Sequence, residues 1–558
     1  MTTEAVSPTA DLDDIKAEVD HHEDSKGEDG PDVPDDDPRW LTAWKLWLSL
    51  LGMMFAQFMT SLVGNMLSPA FSIIVGNFNA ASKFGWVSSA FFMAQCPCML
   101  LYGQILSAFD GKNVLLSAIG FFTNIDAVII GRAIAGIGAA GIWVGVLSLI
   151  ASVVPLTRRP LIMGLFGFAN LVANGCGPVL AGYFADSVTW RLCFLFALPL
   201  AAITVTTIWF LVPKQQILRP FADHAAERLD KRWGQFSKSD PKRSSVGYRL
   251  LGVDWIGFVL VSGAVICLQI AIQDGGSAYS WTSGHILALI IGGFGGLLVV
   301  FIAWQWHEGE AALMPLVLFR NRTQFGGCLL SMSTLYANLI GVIMLPYFFE
   351  VALGSTALQA GYQILPYLLV TIVFSFVAGW VTTKTGHYYQ WLIIGPCFMI
   401  VAGAVYYTMP SAPTTGQLYG YQILFAAGVG FTQQQIYVCI QAISKQEDIH
   451  LRIAAVSFAE LFGGAIAPTI STTILRNKLA ANLATYAPDA PATVTSDTTL
   501  IGTLSTELAH AVRLAYIKSL QPIFIQLCAM GAISIIAAVV LIKPVNLKKV
   551  KMMGFAGH

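Results

Sequence analysis

Two ionisable side chains stand out because each lies inside a long apolar run, where a charge is costly. Glu460 lies between Phe458-Ala459 and Leu461-Phe462-Gly463-Gly464, and Arg132 lies in the run from Gly131 to Gly141. An apolar environment favours the neutral form of a carboxyl group, so Glu460 could bind and release protons near neutral pH. The alternative is a protonated acid that is simply hydrogen-bonded between helices. Arg132 is expected to face a polar interior, or else to lie near a helix end and reach towards water.

Uncharged polar side chains interrupt other apolar runs. Buried amides need hydrogen-bond partners, so many of these side chains are expected to bond between helices. The remainder, with neighbouring Phe and Tyr residues, would line a broad, moderately polar cavity near the middle of the molecule. Such a cavity suits a bulky amphiphilic organic molecule better than a sugar or an inorganic ion. The cavity candidates are Gln57, Asn65, Asn170, Asn174, Tyr336, Asn338, Gln434 and Gln441.

The sequence lacks the motifs of enzymes and of cofactor-binding proteins. It contains no Walker A motif, so the chain has no ATP-hydrolysis site of its own. The glycine-rich stretch 136–141 lies within an apolar run and does not follow a predicted strand, which argues against a dinucleotide site. The nine cysteines lie in apolar stretches, and no array of acids for metal ions accompanies them. We therefore expect neither an enzyme nor a bound cofactor or metal.

The elements that position these residues are predicted to be membrane-spanning helices. Hydrophobic residues make up 55% of the 558 positions and charged residues 11%, whereas a soluble chain carries roughly 25% charged residues. The net charge is zero, which gives no indication of nucleic-acid binding. A helix needs about 20 apolar residues to cross the hydrocarbon layer. Such runs lie at 46–68, 84–108, 127–154, 161–184, 191–212, 253–272, 285–306, 323–349, 360–382, 390–408, 417–443, 453–475 and 520–542, and a weaker one at 114–123 brings the total to about 14.

The distribution of basic residues orients these spans. If the amino terminus is cytoplasmic and all 14 spans cross, every basic cluster falls on the cytoplasmic side. Omitting 114–123 would invert everything after it, so we keep this crossing and expect it to be short, distorted or incomplete. The clusters are Lys112, Arg158–Arg159, 214–249, Arg320 with Arg322, Lys384, Lys445 with Arg452, and 543–551.

The predicted organisation has two six-helix bundles with two additional central helices. Residues 1–44 form a disordered acidic cytoplasmic tail without a cleavable signal peptide. The remaining regions are an amino-terminal bundle (45–212), a cytoplasmic linker (213–252), two central spans (253–306), a carboxyl-terminal bundle (307–542) with an extracellular loop at about 476–518, and a basic cytoplasmic tail (543–558).

Several motifs resemble those of the major facilitator superfamily. Gly131-Arg132-Ala-Ile-Ala-Gly136-Ile-Gly138-Ala-Ala-Gly141 resembles its Arg-bearing fourth-helix motif, and Gly175-Cys-Gly177-Pro178-Val-Leu-Ala-Gly182 resembles the antiporter motif of its drug:proton exporters. Thr189-Trp190-Arg191 and later segments are similar to the 14-span branch, above all to fungal toxin-efflux members. The resemblance implies a bend at Pro178 that favours exchange over uniport, although a purely structural kink is the alternative.

Two motifs depart from the family pattern. The loop after the second helix usually carries Gly-x-x-x-Asp-x-x-Gly-Arg-Lys but here reads from Gly103 to Lys112 with Ser107 in place of the Asp. Asp110 and Lys112 could still form a cytoplasmic charge pair, or both could be ordinary solvated loop residues. The acid usually found in the first helix is replaced by Thr60, which cannot carry a proton.

These observations predict an exporter of a hydrophobic or amphiphilic toxin, drug or secondary metabolite, acting by proton antiport. Arg132, Glu460, Asp110 and Lys112 are the candidates for coupling and gating. We expect a monomer in the cell membrane, with the vacuolar membrane as the alternative site. Two other functions stay open: a uniporter or importer that has lost proton coupling, and a non-transporting sensor or a truncated isoform.

Overall fold

A computed structural model describes most of the chain as long helices. The described residues are 43–65, 84–108, 126–187, 250–276, 279–355, 357–410, 413–445, 448–491 and 504–548, with a few isolated positions between them. Regular structure in these ranges is helical, which confirms the predicted all-α fold class.

The amino-terminal half is described through four helices. α1 packs on α4, and α2 packs on α3. A Cβ atom added at Gly136 would lie 2.2 Å from the Phe91 carbonyl oxygen, so the missing side chain allows α3 to approach the α2 backbone closely. The four helices are α1 (Ala43–Asn65), α2 (Phe84–Ala108), α3 (Asp126–Val153) and α4 (Arg159–Ser187).

Two helices follow the linker. α5 spans Trp255–Asp274, and α6 is α-helical at Gly284–Leu287, π-helical at Ala288–Gly296 and α-helical again at Leu297–Glu308. α5 packs on α6 and on α2. The outer surface of α6 exposes large apolar side chains, including Ile291, Val299 and Trp306. An apolar outer surface of this kind suits contact with lipid.

Six long helices are described in the carboxyl-terminal half. α7 packs on α11 and α12, α9 packs on α10 and α12, and α8 packs on α10. The helices are α7 (Arg322–Ala352), α8 (Leu365–Thr385), α9 (Tyr389–Tyr407), α10 (Thr415–Ile443), α11 (Ile449–Tyr486) and α12 (Thr506–Ile536).

The two halves meet mainly along two helix pairs, α2 with α11 and α4 with α8. Glycine allows close approach in both pairs. A Cβ atom at Gly103 would lie 2.4 Å from the Ala454 Cβ, and one at Gly379 would lie 2.4 Å from the Pro160 carbonyl oxygen. Both contacts lie at one end of the helices, where the halves are therefore packed together. We call this the basic end, because the helix termini there are flanked by Arg158, Arg320, Lys384, Lys445 and Lys543.

The described helices account for twelve of the predicted spans. Ten are long and apolar enough to cross a membrane, and the shorter apolar helices Trp47–Leu62 and Ala90–Leu106 bring the number to twelve. The predicted span at 114–123 lies outside the described residues, as does the span at 191–212 except for isolated positions. A chain with many membrane spans is thus confirmed, and the number fourteen stays a prediction.

The connection predicted at 476–518 is partly helical. α11 is 38 residues long, so at 1.5 Å per residue it extends about 57 Å, well beyond the hydrocarbon layer. α12 also begins early, at Thr506. The extensions form because Leu479, Val512 and Tyr516 bury apolar side chains in a small cluster that also contains Val351.

Candidate functional site

Glu460 lies inside the carboxyl-terminal half with only 3% of its surface exposed. The Tyr437 hydroxyl donates a hydrogen bond to its Oε2, and the Gln433 Nε2 donates to its Oε1 at 3.3 Å. The Ser331 hydroxyl on α7 donates to the Val456 carbonyl of α11 at 3.5 Å, one turn before Glu460. Two uncharged donors thus converge on one buried carboxyl group, which suits both of the alternatives drawn from the sequence, a proton site and a structural hydrogen-bonded acid.

Local helix geometry brings these residues together. Gln433 and Tyr437 lie one turn apart on α10, and Ser457 and Glu460 lie three residues apart on α11. Residues at these spacings share a helix face. A Cβ atom at Gly463 would lie 2.3 Å from the Met332 carbonyl oxygen, so α11 packs directly against the α7 backbone beside Glu460.

The site reaches across to the amino-terminal half through Trp143 on α3. The indole Nε1 of Trp143 donates a hydrogen bond of 3.2 Å to the Tyr437 hydroxyl. The Ser457 hydroxyl lies 3.1 Å from the same oxygen. We use the term Glu460 network for Glu460, Gln433, Tyr437, Ser457 and Trp143. This network joins both halves of the molecule through one phenol oxygen.

Arg132 lies outside the Glu460 network. Only 4% of its surface is exposed, and its guanidinium carbon lies 4.7 Å from the centre of the Phe91 ring on α2. This geometry is a cation–π contact. Arg132 precedes Trp143 by eleven residues on α3, which corresponds to about 16 Å along the helix axis. The structure therefore does not bring Arg132 to the Trp143 side of the Glu460 network.

The polar candidates of the amino-terminal half form a connection between α1 and α4. Gln57 donates to the Ser61 hydroxyl at 3.1 Å, and Ser61 donates to the Asn170 side-chain oxygen. Thr60 is buried and donates to the Ala56 carbonyl of its own helix at 2.9 Å. The side chains of Asn65 and Asn174 lie outside the described residues.

The candidates of the carboxyl-terminal half are mostly engaged in bonds between helices. Tyr336 donates to Gln526 on α12, and the Tyr367 hydroxyl on α8 donates to the Asn338 oxygen at 2.5 Å. Both are interhelical bonds of the kind that the sequence left open as an alternative to a cavity lining.

Two buried glutamines of α10 differ from these. Gln434 packs across the interface between the halves, where its amide nitrogen lies 3.1 Å from the place that a Cβ atom of Gly167 would take. Gln441 is buried, and neither its side-chain oxygen nor its nitrogen has a hydrogen-bond partner among the described residues. Such groups are expected to meet water or a polar ligand.

The antiporter-like motif lies within α4. The helix is continuous from Arg159 to Ser187 and includes Gly175, Gly177, Pro178 and Gly182. A Cβ atom at Gly175 would be 3.5 Å from the Leu368 side chain, which is an ordinary packing distance. The Pro178 side chain and the surroundings of Gly182 lie outside what the structure describes, as do residues Asp110 and Lys112 altogether.

Sequence reasoning missed a second polar cluster, centred on Asp254 at the start of α5. This carboxylate accepts four N–H bonds: from Gly257 N at 2.9 Å, Trp304 Nε1 at 2.9 Å, Gln305 Nε2 at 3.1 Å and Leu313 N at 3.0 Å. The available signal was an Asp immediately before an apolar run, which is a common helix N-cap.

The Asp254 cluster also fixes the central helices to α2. The Asp254 backbone N–H donates to Gln104 Oε1 at 3.0 Å, and Gln104 Nε2 donates to the carbonyls of Ala311 and Ala312 at 3.0 and 2.8 Å. Gln104 adjoins Gly103, where α2 meets α11. The cluster thus holds α5, α6 and the segment after α6 beside the contact between the halves.

Arg159 was also missed as an individual residue. The sequence indicated only a basic cluster at 158–159, but the Arg159 side chain is 2% exposed. Its guanidinium donates to the Val154 carbonyl at 2.9 Å and to the Ala151 carbonyl. It therefore caps the carboxyl end of α3, a role typical of cations at that helix terminus.

A sequence profile described as Major Facilitator Superfamily matches residues 53–468 of this chain. The chain belongs to the major facilitator superfamily. It is therefore a multi-pass membrane transporter, and its relatives are transporters and efflux pumps rather than enzymes. This finding confirms the resemblance stated from the sequence motifs.

Similar proteins are found among fungi. The chain is 32% identical to the MFS-type transporter astH of Aspergillus oryzae, over 90% of this chain and 87% of that protein. It is 31% identical to the efflux pump aflT of Aspergillus parasiticus, over 80% and 84% respectively. A thioclapurine efflux transporter of Claviceps purpurea, tcpA, is 28% identical over 82% of each chain.

Solved structures of the superfamily share the fold. The proton:xylose symporter XylE superposes with a TM-score of 0.52 at 14% identity, covering 92% of this chain and 99% of that one. At this identity the similarity establishes the fold alone.

Proposed function

We propose that this transporter exports a hydrophobic or amphiphilic secondary metabolite or toxin across the plasma membrane by proton antiport, through fourteen membrane spans. The basic end is then cytoplasmic. Transport proceeds as the two halves rock about a central site, which opens alternately to either side. The names of the fungal relatives, which include efflux pumps and a thioclapurine efflux transporter, support the direction and the substrate class.

The observation that carries proton coupling is the burial of Glu460 among uncharged donors at the contact between the halves. The acid is 3% exposed and is linked through Tyr437 to Trp143 on the opposite half. A proton bound at Glu460 therefore changes the charge at a place that both halves share. One elementary charge moving through 100 mV releases about 2.3 kcal/mol, and a pH gradient adds to this driving force.

The first helix supports a proton site elsewhere in the chain, because it lacks the acid usual in the family. Thr60, at the position where the family usually has an acid, is buried and bonded to its own helix. Thr60 also favours a second candidate function, facilitated transport without protons, because the usual proton site is missing. Sensitivity of export to a protonophore separates the two, since a uniporter keeps its flux when the proton gradient is removed.

The test of the proposal compares cells with and without the gene, measuring metabolites in the medium and in the cells separately. Export predicts a compound that is depleted outside and retained inside the deletion strain, and restored outside by the wild-type gene. Protonophore treatment of the complemented strain should abolish the recovery. An unchanged distribution of every compound, with the protein present in the membrane, would contradict export.

A further inference from the structure

The hydrogen bond between Trp143 and Tyr437 joins the two halves on the basic side of the molecule. Trp143 lies ten residues before α3 ends at Val153, and Tyr437 lies six residues before α10 ends at Ile443. These separations correspond to about 15 Å and 9 Å from the helix ends. Both helices end at the basic end, where the halves are packed together. We therefore expect opening of that end to separate Trp143 from Tyr437.

The donors around the Tyr437 oxygen fix its hydrogen-bond pattern. The phenol has one proton and two acceptor sites. Its proton goes to Glu460, so the Trp143 indole N–H and the Ser457 hydroxyl occupy the two acceptor sites. The Trp143 and Ser457 hydrogens thus point at the Tyr437 oxygen and the Tyr437 hydrogen points at Glu460, which is the pattern that an ionised carboxylate requires.

Protonation of Glu460 must reverse part of this pattern. A proton on Oε2 points at the Tyr437 oxygen, so Tyr437 has to turn its own hydrogen towards Ser457. The phenol then no longer donates to a charged acceptor. Hydrogen bonds in a chain polarise one another, and those that involve a charge are stronger. The Tyr437 oxygen is consequently a weaker acceptor for the Trp143 N–H when Glu460 is neutral.

The groups that surround Glu460 leave it as the residue that changes charge. Among the described residues, Tyr437 on α10 is the titratable side chain bonded to Glu460, and the Cys96 sulfur on α2 lies 3.8 Å from the nearby Phe458 carbonyl. Phenols and thiols ordinarily stay neutral near pH 7. The other members of the Glu460 network are the uncharged Gln433, Ser457 and Trp143.

We infer that Trp143 and Tyr437 form a latch between the halves, which Glu460 strengthens when ionised and weakens when protonated. Trp143 is a positioning residue and binds no proton itself. The inference rests on the proposed function and deepens it. A proton taken up while the basic end is closed loosens that end, and loss of the proton restores the latch. Proton binding thus favours the change that antiport requires, opening towards the cytoplasm.

The test is hydrogen–deuterium exchange of the full chain in lipid nanodiscs at one pH, read at residues 159–167, 376–388 and 449–456, where the halves meet. Trp143→Phe removes the indole N–H, and Tyr437→Phe breaks the same link from the other half. One lost hydrogen bond of ordinary strength should raise exchange there by roughly 2- to 10-fold. Trp391→Phe is the matched control and is read at 159–167 and 449–456, because its indole bond of 3.0 Å to Thr382 lies within one half and outside these two segments.

Glu460→Gln, which keeps residue 460 neutral, should raise exchange at the same segments. Adding Trp143→Phe to it should give less than the sum of the two effects, because both changes act on one contact. Unchanged exchange in both Trp143→Phe and Tyr437→Phe, an equal increase in Trp391→Phe, or full additivity in the double variant would overturn the latch. Proton-driven export by Glu460→Gln is scored separately. Retained export refutes the proton site, whereas the exchange results alone decide the latch.

Discussion

The Asp254 cluster gives the strongest prediction about stability. Its carboxylate is 3% exposed and accepts four N–H groups, two of them from the backbone at Gly257 and Leu313. Asp254→Ala removes all four acceptor contacts. The Trp304 and Gln305 side chains can turn to other partners, but the two backbone N–H groups cannot. A buried donor left without a partner costs about 1–3 kcal/mol, so the two fixed donors together cost about 2–6 kcal/mol.

The assay is the thermal unfolding midpoint of the detergent-solubilised transporter. Asp254→Ala should lower this midpoint by several degrees or more. The midpoint of Asp254→Asn should lie between those of Asp254→Ala and the wild type, because one acceptor oxygen remains. Asp489→Asn is the matched control, since Asp489 is exposed. Surface substitutions of this kind usually change stability by no more than about 0.5 kcal/mol. An Asp254→Ala midpoint within a degree of wild type, or an equal loss in Asp489→Asn, would refute the reasoning.

Two further predictions concern packing within the halves. Gly136→Ala places a Cβ atom 2.2 Å from the Phe91 carbonyl oxygen and should reduce both the unfolding midpoint and the folded yield. Gly420→Ala is the control, because a Cβ atom there has nothing within 4 Å and should be neutral or slightly stabilising. Equal behaviour of the two variants would contradict the close helix contact. Tyr367→Phe removes the 2.5 Å bond to Asn338 and should cost about 1–3 kcal/mol, seen as a lower midpoint; an unchanged midpoint would show that Asn338 finds another partner.

The membrane spans could be predicted from the sequence because length and apolar composition determine which segments can cross a bilayer. α7, predicted at 323–349, is observed at Arg322–Ala352. α11 is different, because the polar sequence beyond residue 475 suggested a loop. A cluster with Leu479 and Tyr516 extends the helix there, and such tertiary packing has no strong local signal.

The candidate site was predictable only in part. Glu460 was conspicuous because a charged residue within an apolar run is rare. Tyr437 and Trp143 were not, because aromatic residues are common in membrane helices and only the packing of α3 on α10 and α11 gives them a partner. Asn338 was conspicuous in the sequence, but its role could not be predicted. An amide in an apolar helix fits a cavity lining and an interhelical bond equally well, and the structure places it in a bond with Tyr367.

The central claim is that proton movement through Glu460 drives export. We would measure proton uptake with a pH-sensitive dye in vesicles containing the wild type, Glu460→Gln, or the matched control Glu350→Gln, on addition of the compound identified in the deletion strain. Glu350 is half-buried near the other end of α7. We predict substrate-dependent proton movement in the wild type and in Glu350→Gln, and none in Glu460→Gln, with all three proteins equally folded. Wild-type proton movement in Glu460→Gln would contradict the account.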